Sequence, residues 1–465
     1  MNDLSARFVL VLGIGESGLA MARWCAREGA RLRVADSRTR PPGLEALRTM
    51  APTAECVLGP FDERLLDGID LVAVSPGIDP RSGVAAAARH RGIEVVGEMT
   101  LFARALARHA ARAATRVVAV TGTNGKTTTT ALTAALCRAA GLDAVAAGNI
   151  SPAALAVLAD RLDAGRALPE CWVLELSSFQ LETTAGLAPQ AATVLNVTDD
   201  HLDRHGDLAS YAAIKARIFD GDGVQVLNRD DPQVMAMARA GRRVVSFGSD
   251  VPPSASDFGL AHAPDGLWLM RGEERLLHAD GMRLAGTHNA LNALAALALG
   301  EALGCARAPM LAALRGFEGL PHRMQQVARR ADGVVFYDDS KGTNVGSTLA
   351  ALQGLDRRIV LIAGGDGKGQ DFAPLRPVVA RHARAVVLIG RDAPVLAAAF
   401  AGLDLPVEPA ADLDAAVARA NALAQAGDAV LLSPACASLD MFRNYAHRGE
   451  VFVAAALRLP EVAPA

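Results

Sequence analysis

A lysine followed by a run of threonines stands after a glycine-rich turn in the segment AVTGTNGKTTTT, which begins at Ala119. The usual phosphate loop has the spacing G-x-x-x-x-G-K-[ST], but counting back from Gly125 puts Val120 where its first glycine is expected. The shorter turn can still direct backbone N–H groups at a phosphate, with Lys126 beside the outer phosphates and Thr127 beside a magnesium ion. The segment therefore predicts a site that binds the phosphates of a nucleotide.

A carboxylate and an imidazole follow two later strand-like runs. Proteins with a phosphate loop also need a metal ion, which a carboxylate from a neighbouring strand end helps to hold. Glu175 ends the apolar run of CWVLELSSFQLE, and His201 lies close to the end of the run in ATVLNVTDDHLDRH. A solvated turn is the simpler interpretation of the second segment, whereas a buried glutamate needs a cation or hydrogen bonds. We predict that Glu175 and His201 contact a metal ion.

A second glycine-rich turn lies near the start of the chain. GIGESG, which begins at Gly13, follows the strand-like run FVLVL and opens a helix, and Asp36 ends the next strand-like run. This layout is typical of a dinucleotide fingerprint, in which the glycines allow a pyrophosphate to approach and the acid reaches a ribose. The alternative is a tight turn that binds nothing. Ser75 and Gly77 end a further run and are expected at the same sheet edge.

Three polar segments in the last third of the chain each follow a strand-like run. They are DDSKGTN from Asp338, GGDGKGQDF with Lys368, and SPACASLDMFRNYAHRG from Ser433. Cationic and hydroxyl groups that converge at one sheet edge can recognise a small molecule with several carboxylates. The alternative is three unconnected polar turns. Composition alone suggests that Lys215 is a surface lysine. Asn292 and Arg323 are ambiguous, because an Asn at a helix start is often a cap and an Arg after a proline turn is often solvated.

The elements that must position these residues are short Val/Ile/Leu-rich runs that alternate with helical stretches. Runs of this kind that end in Gly, Asp or Ser predict parallel sheets covered by helices on both faces, with ligands at the carboxyl ends of the strands. We predict an α/β fold of three domains: a Rossmann-like domain at 1–111, a P-loop ATPase-like domain with a mostly parallel sheet at 112–319, and a Rossmann-like domain at 320–465. The Ala- and Arg-rich helix after Glu98 is expected to be a linker.

The composition limits the classes of protein and partner. A chain of 465 residues is too long for one core, and a net charge of −3 gives no electrostatic reason to bind nucleic acid or an anionic membrane. The six cysteines form no C-x-x-C pair, so neither a zinc site nor a disulfide framework is expected. The first residues lack the features of a signal peptide. We expect a cytoplasmic monomer.

Taken together, these motifs resemble the Mur ligase family over essentially the whole chain. The similar stretches are TGTNGKTTT, LELSSFQL, DDHLDRH, GTHNALNALAA, LPHRM, DDSKGTN, GGDGKGQDF and SPACASLDMF. The family shares the short TGTNGKT loop, and the last motifs are most similar to its D-glutamate-adding members. The resemblance implies a ligase that uses ATP and Mg²⁺ to join D-glutamate to UDP-N-acetylmuramoyl-L-alanine through an acyl phosphate, a cytoplasmic step in peptidoglycan precursor synthesis.

The resemblance also implies a role for each matching residue. It implies that Lys126, Glu175, His201 and Lys215 are catalytic, that Lys215 is carbamylated, and that Thr127, Glu175, His201 and the modified Lys215 support the metal. The implied ATP contacts are Gly122, Thr123, Asn124, Gly125, Lys126, Thr127, Thr128, Asn292, Arg323 and Asp339. The implied contacts of the UDP-substrate are Gly15, Glu16, Ser17, Asp36, Ser37, Arg38, Ser75, Gly77 and Asn149. Those of D-glutamate are Lys341, Thr343, Lys368, Ser438, Leu439 and Tyr445.

The sequence departs from the family pattern at Glu16, at Ser151-Pro152 and at Gly342. These departures concern contacts away from the reacting groups. Three other classes compete with the main interpretation. A nicotinamide-dependent oxidoreductase would use only the first glycine turn, a folate polyglutamate synthase would share the ATP loop, and a nucleotide sensor would bind ATP without turnover.

Overall fold

The computed structural model describes residues 4–284 and 286–465. Its helices alternate with strands that form four sheets, so the predicted α/β class is confirmed. Packing of the backbone divides the chain into two compact units. The first comprises the chain up to Leu260 with Met270–Glu274 and Leu294–Ala313, and the second comprises Ala261–Leu269, Arg275–Ala293 and Leu314–Ala465. The boundaries predicted after residues 111 and 319 remain predictions.

The first sheet has five parallel strands in the order β3-β2-β1-β4-β5, the Rossmann-like arrangement predicted for this part of the chain. Its strand β1 is buried throughout, as expected for a parallel strand covered on both faces. The strands are β1 Phe8–Leu12, β2 Arg31–Asp36, β3 Glu55–Leu58, β4 Leu71–Val74 and β5 Glu94–Val96. The helices are α1 Glu16–Arg27, α2 Leu44–Met50, α3 Gly83–His90 and α4 Glu98–Arg108.

The second sheet has six parallel strands in the order β11-β10-β9-β6-β8-β7. The central strand β6 lies between β9 and β8, so the carboxyl ends of these three strands are neighbours. The strands are β6 Arg116–Thr121, β7 Ala144–Gly148, β8 Cys171–Glu175, β9 Ala191–Val194, β10 Val224–Asn228 and β11 Val244–Phe247. The helices are α5 Lys126–Ala139, α6 Ala154–Asp163, α7 Ser178–Leu181, α8 Leu202–His205, α9 Leu208–Ala216 and α10 Pro232–Met235.

A three-stranded sheet and two helices follow. The strands are β12 Phe258–Ala263, β13 Gly266–Arg271 and β14 Glu274–His278, and the helices are α11 Thr287–Ala302 and α12 Arg307–Gly316. In the described part of the chain, no helix is long and apolar enough to cross a membrane.

The fourth sheet has seven strands in the order β19-β18-β17-β20-β16-β15-β21. Strand β15 is antiparallel to both β16 and β21, and the five strands from β19 to β16 are parallel to their neighbours. The strands are β15 Gln325–Arg330, β16 Val335–Asp338, β17 Ile359–Gly364, β18 Ala383–Ile389, β19 Val407–Pro409, β20 Ala429–Leu432 and β21 Val462–Pro464. The helices are α13 Val345–Gly354, α14 Leu375–His382, α15 Ala393–Ala399, α16 Leu413–Leu423 and α17 Tyr445–Leu457.

Helix α4, predicted as a linker, is a packed element of the first unit. Phe102 on α4 is fully buried, and its ring meets that of Trp172 on β8 edge to face at a centroid distance of 4.8 Å. Thr100 donates a hydrogen bond to the carbonyl oxygen of Thr183 at 2.6 Å. The helix therefore joins the first two sheets through a shared apolar core, which a pattern of Ala and Arg did not reveal.

Candidate active site

The predicted phosphate loop connects β6 to α5. Gly122 has a φ of +153° and Gly125 a φ of +82°, so both hold backbone conformations that favour glycine. A Cβ atom at Gly122 would also lie 3.0 Å from the Cβ of Leu195. The turn places the N-terminus of the fourteen-residue helix α5 at the carboxyl end of the sheet, where helix amides bind phosphate.

Asn196, which was not identified from the sequence, holds this loop through two hydrogen bonds to Asn124. Its side-chain oxygen accepts a hydrogen bond from the backbone N–H of Asn124 at 2.8 Å, and its side-chain amide donates to the carbonyl oxygen of Asn124 at 3.2 Å. The hydroxyl of Thr123 donates to the carbonyl of Thr198, while the N–H of Thr198 donates to that hydroxyl. The only signal in the sequence was a polar residue directly after the strand run ATVL.

Two lysines meet at the loop. Lys126 donates hydrogen bonds to the carbonyl oxygens of Gly122 and Thr123, at 2.9 and 2.8 Å. Lys215, on α9, donates to the same Gly122 oxygen at 2.9 Å and is 1% exposed, so it is not the surface lysine that composition suggested. Burial, followed by the positive charge of Lys126, lowers the pKa of Lys215 well below its usual 10.5. This environment favours a neutral, nucleophilic amine at position 215.

Glu175 ends β8 beside the loop strand β6 and is 1% exposed. Its Oε1 accepts a hydrogen bond from Asn149 Nδ2 at 2.7 Å, whereas its Oε2 is buried without a hydrogen-bond partner. A buried carboxylate oxygen without a donor is costly unless a cation meets it. The residues present therefore fit a divalent cation that Glu175 holds, with hydroxyl and phosphate oxygens as the further ligands that Mg²⁺ prefers.

The other predicted metal residue, His201, lies in a turn with a φ of +54°. Its ring packs on Phe179 at a centroid distance of 4.7 Å, and its Nε2 is 3.7 Å from a carboxylate oxygen of Asp200. Among the described side chains, no group of three or more His, Cys, Asp and Glu residues is arranged to hold a metal ion. Of the four predicted metal residues, Glu175 is thus a buried carboxylate, His201 a partly exposed imidazole, and Lys215 a lysine that needs modification to become a ligand. The fourth, Thr127, lies in the first turn of α5.

In the first sheet, the carboxylate of Asp36 is already engaged by the protein. It accepts hydrogen bonds from the backbone N–H groups of Ile14 and Arg38, at 2.7 and 2.9 Å, and two more from the Arg38 guanidinium. The Arg38 side chain is the main cause that lowers the pKa of Asp36 to about 2. Asp36 therefore ties the glycine turn to the segment after β2, and its predicted contact with the UDP-substrate remains a prediction.

Two of the three departures from the family pattern interact with each other. Glu16, in the first turn of α1, accepts hydrogen bonds from the hydroxyl of Ser151 at 2.6 Å and from the N–H of Ala153 at 3.0 Å. Gly15 is the residue before α1, and Ser75 donates to the carbonyl of Gly13 at 3.4 Å. Glu16 thus joins the glycine turn of the first sheet to the start of α6. The other predicted residues of this loop cluster are Ser17, Ser37 and Gly77.

Three of the predicted ATP contacts belong to the second compact unit. Asn292 is buried in α11 and donates to the side chain of Asn289 at 3.3 Å, so it is not a cap. Asp339 follows β16 and accepts hydrogen bonds from the hydroxyl of Ser433 and the N–H of Met324. Burial raises the pKa of Asp339 to about 7, and the charge of Arg323 opposes that rise.

The residues predicted for D-glutamate lie on loops of the fourth sheet. The ammonium of Lys341 lies 3.8 Å from the ring centroid of Tyr445, and Thr343 donates its N–H to the carbonyl of Lys341. Lys368 has a φ of +51° in the loop after β17. Leu439 is 70% exposed, beside the buried Ser438. Strand β17 adjoins β20, and β20 adjoins β16, so the three loops leave one edge of the sheet as predicted.

Arg448, on α17, is fully buried beneath these loops and was not found from the sequence. Its guanidinium donates to the hydroxyl and carbonyl oxygens of Ser340 at 3.0 and 2.8 Å, and to the carbonyl oxygens of Cys436 and Ala437. Burial lowers the pKa of Arg448 to about 10. One arginine therefore joins the Ser340–Thr343 loop to the loop that carries Ser438.

The composition holds one further signal. The chain has only four lysines, and all of them are predicted site residues, whereas the other 43 of its 47 cationic Lys and Arg residues are arginines. Lysine differs from arginine because it is a compact charge that can lose its proton. The four lysines are Lys126, Lys215, Lys341 and Lys368.

Three models of protein families match the chain. Residues 7–97 match the Mur ligase MurD-like N-terminal domain, residues 120–300 the Mur ligase middle domain, and residues 322–436 the Mur ligase glutamate ligase domain.

Relatives with curated names are similar over nearly the whole chain. A UDP-N-acetylmuramoylalanine–D-glutamate ligase from Aromatoleum aromaticum is 66% identical over 463 residues, which cover 99% of each chain. The ligase of the same name from Ralstonia nicotianae is 54% identical, with 97% of each chain covered. Among solved structures, the UDP-N-acetylmuramate-alanine ligase from Thermotoga maritima matches with a TM-score of 0.58 at 20% identity, covering 96% of this chain and 98% of that one. A pseudomurein peptide ligase type C from Methanothermus fervidus matches with a TM-score of 0.54 at 18% identity, covering 92% and 96%. The two structural matches support the fold alone.

Proposed function

The chain belongs to the Mur ligase family, and we propose that it joins D-glutamate to UDP-N-acetylmuramoyl-L-alanine with hydrolysis of ATP to ADP and phosphate. The observation that carries this conclusion is the 66% identity over 99% of the chain to a ligase named for that reaction. The product is a precursor of peptidoglycan. The paired lysines at the phosphate loop and the buried Glu175 support the same reaction.

The first step activates the carboxylate of the alanyl residue. A carboxylate does not react with an amine directly because oxide is a poor leaving group. Its oxygen attacks the γ-phosphorus of ATP, the bond from that phosphorus to the bridging oxygen of ADP breaks, and an acyl phosphate forms. Lys126 and the amides at the start of α5 offset the charge on the transferring phosphoryl group.

We propose that Glu175, Thr127 and His201 would hold Mg²⁺, which when bound would supply positive charge to the phosphate oxygens. The unpartnered Oε2 of Glu175 is the structural basis for this proposal. Lys215 supports the same site after its amine reacts with carbon dioxide, which forms an N–C bond and releases a proton. The lowered pKa of Lys215 favours this reaction because only the neutral amine has a free electron pair.

In the second step, the D-glutamate amine attacks the acyl carbon, a tetrahedral intermediate forms, and phosphate leaves as the amine loses a proton. We propose that Lys341 and Lys368 bind the two carboxylates of D-glutamate, with Thr343 and Ser438 as hydroxyl donors. This binding holds the amine in place for attack. We further propose that the protein acts in the cytoplasm, where the six cysteines stay reduced.

The proposed function is tested by release of ADP with UDP-N-acetylmuramoyl-L-alanine and a panel of amino acids. We expect release that depends on D-glutamate. Release without D-glutamate, or faster release with meso-diaminopimelate or a folate acceptor, would contradict the proposal.

The phosphate-loop assignment has its own test. Lys126→Ala is expected to lower kcat by roughly 100-fold or more, because a preorganised charge at the transferring group is lost. The matched control is Arg138→Ala at the other end of α5, where the guanidinium contacts only the carbonyl of Ala144 among its described hydrogen bonds. A near-normal rate in Lys126→Ala, with normal folding by circular dichroism, would remove the assignment.

A further inference from the structure

Arg204 lies three residues after His201 and reaches from the second sheet to the first. Its guanidinium donates to the carboxylate of Glu182 at 2.5 Å and to the carbonyl oxygen of Ile78 at 3.1 Å. Ile78 directly follows Gly77 in the loop after β4. Arg204 therefore contacts both the α7 region and the loop predicted to bind the UDP-substrate.

A second arginine makes the reciprocal contact. Arg81 donates to the carbonyl oxygen of Arg204 at 2.5 Å, and it also pairs with Asp79 at 3.0 Å. Asp79 in turn lies 3.8 Å from the Nε of Arg204. The segment from Ile78 to Arg81 is thus joined to Arg204 through both its main chain and its side chains.

The centre of this network is buried. The side chains of Glu182 and Arg204 are only 4% and 12% exposed. His205 and Arg81 approach the same glutamate at 3.6 and 3.8 Å. A buried ion pair with several hydrogen bonds has one preferred geometry, because any other arrangement leaves a charge without partners.

The same network fixes the turn that carries His201. The backbone N–H groups of Arg204 and His205 both donate to the carbonyl oxygen of His201 at 3.0 Å. The guanidinium of Arg204 and the ring of His201 both pack on Phe179, at 5.1 and 4.7 Å from its centroid. A displacement of Arg204 would therefore shift the turn that carries His201 and the Phe179 ring on which its imidazole packs.

We propose that Arg204 is a positioning residue that couples the UDP-substrate loop to the His201 turn. Occupation of the loop after β4 by the UDP-substrate then stabilises the position of the imidazole needed for phosphoryl transfer. This inference rests on the proposed function, because the two ends of the network are the predicted substrate and metal contacts.

The test compares Arg204→Met, Arg204→Lys and Arg81→Ala with Arg64→Ala as a matched control. Arg64 pairs with Asp62 through the same Asp-x-Arg arrangement that joins Arg81 to Asp79, but it lies in the 3-10 helix Glu63–Leu66 between β3 and β4. Arg81→Ala keeps the inference testable if the Arg204 variants do not fold. The Arg81 side chain is half exposed, and its removal leaves Glu182 paired with Arg204.

We expect Arg204→Met to raise KM for UDP-N-acetylmuramoyl-L-alanine about tenfold, the equivalent of one lost hydrogen bond to a charged group, with KM for D-glutamate unchanged. Arg204→Lys is expected to recover part of this loss, and Arg81→Ala to raise the same KM about threefold. A second readout is calorimetric binding of the UDP-substrate with and without Mg²⁺ and a non-hydrolysable ATP analogue. The ratio of the two Kd values measures the coupling, which should fall towards 1 in Arg204→Met.

Two results would overturn the inference. One is a lowered Tm of Arg204→Met with wild-type KM values and wild-type coupling, which would make Arg204 a structural residue only. The other is an equal rise of all substrate KM values in both Arg81→Ala and Arg204→Met. Failure of the proposed function is distinct, because it would already appear as wild-type protein that releases no ADP in the presence of D-glutamate.

Discussion

Lys126 and Lys215 donate hydrogen bonds to the same acceptor, since the Nζ atom of each lies 2.9 Å from the carbonyl oxygen of Gly122. Two ammonium groups on one oxygen repel each other, and burial adds a larger cost to the charge on Lys215. The protein thus separates the roles of its two lysines. We propose that Lys126 contacts phosphate, and the lowered pKa of Lys215 prepares its amine for the loss of a proton.

Lys215→Met removes the buried amine while it keeps the volume of the side chain. We expect turnover to fall by roughly 100-fold or more, as for loss of a charged group at the transferring phosphoryl. A carbamate signal in ¹³C NMR with labelled bicarbonate should be present in the wild type and missing in the variant. An unchanged rate in Lys215→Met would contradict the role proposed for this residue.

The same substitution should change the dependence of stability on pH. Because the pKa of Lys215 is lowered in the folded state, the unfolded chain binds its proton more tightly between that lowered pKa and 10.5. The free energy of unfolding therefore rises with pH in this window, and Lys215→Met should remove that rise. Urea unfolding at several pH values, without added bicarbonate, measures the effect.

Glu175→Gln keeps the oxygen that accepts from Asn149 but removes the negative charge. We expect the protein to fold and the Mg²⁺ concentration for half-maximal ADP release to rise about tenfold or more, because a charged ligand of the cation is lost. Glu170→Gln is the matched control, since Glu170 precedes the same strand and accepts from the N–H of Asp143. An unchanged Mg²⁺ dependence in Glu175→Gln would exclude this residue as a ligand.

Glu98 predicts a second pH effect, of opposite sign. Burial, the main cause, raises the pKa of Glu98 to about 7, so the folded state holds a proton that the unfolded chain releases above about 4.5. Stability should therefore fall between about pH 4.5 and pH 7, by on the order of 3 kcal/mol. Glu98→Gln should flatten this slope, whereas the exposed Glu45→Gln should not. The measurement is urea unfolding, and equal slopes in all three proteins would disprove the assignment.

Arg448→Met tests whether the buried guanidinium organises the predicted D-glutamate loops. Loss of its bonds to Ser340 and Cys436 should lower stability by about 2 kcal/mol. KM for D-glutamate should rise about tenfold while KM for ATP stays near the wild-type value, and Arg448→Lys should show a smaller rise. The control is Arg458→Met, at the exposed residue that directly follows the same helix. Wild-type KM for D-glutamate in Arg448→Met would leave the arginine with a structural role only.

The α/β class and the order of the motifs were predictable because they depend on local signals. Continuous apolar runs such as β1 and β6 need a sheet covered on both faces, and glycines such as Gly122 and Gly125 hold conformations that other residues rarely adopt. The glycine turn between β6 and α5 and the position of Glu175 at a strand end follow from these local signals. The packed helix α4 did not follow, because its partner Trp172 lies 70 residues away in the sequence.

The sequence by itself determined which segments carry polar groups at strand ends, since strand and turn propensities act over a few residues. Only the tertiary structure decided which of those groups lose water and meet. Three such features involve residues that are 26 or more positions apart. Lys215, whose pKa is lowered, contacts Gly122 and is close to the charge of Lys126. Glu175 bonds Asn149 through one oxygen and leaves the other unpartnered, and Glu16 bonds Ser151. Desolvation and charge depend on distance in space, and chain folding, rather than spacing along the chain, sets that distance.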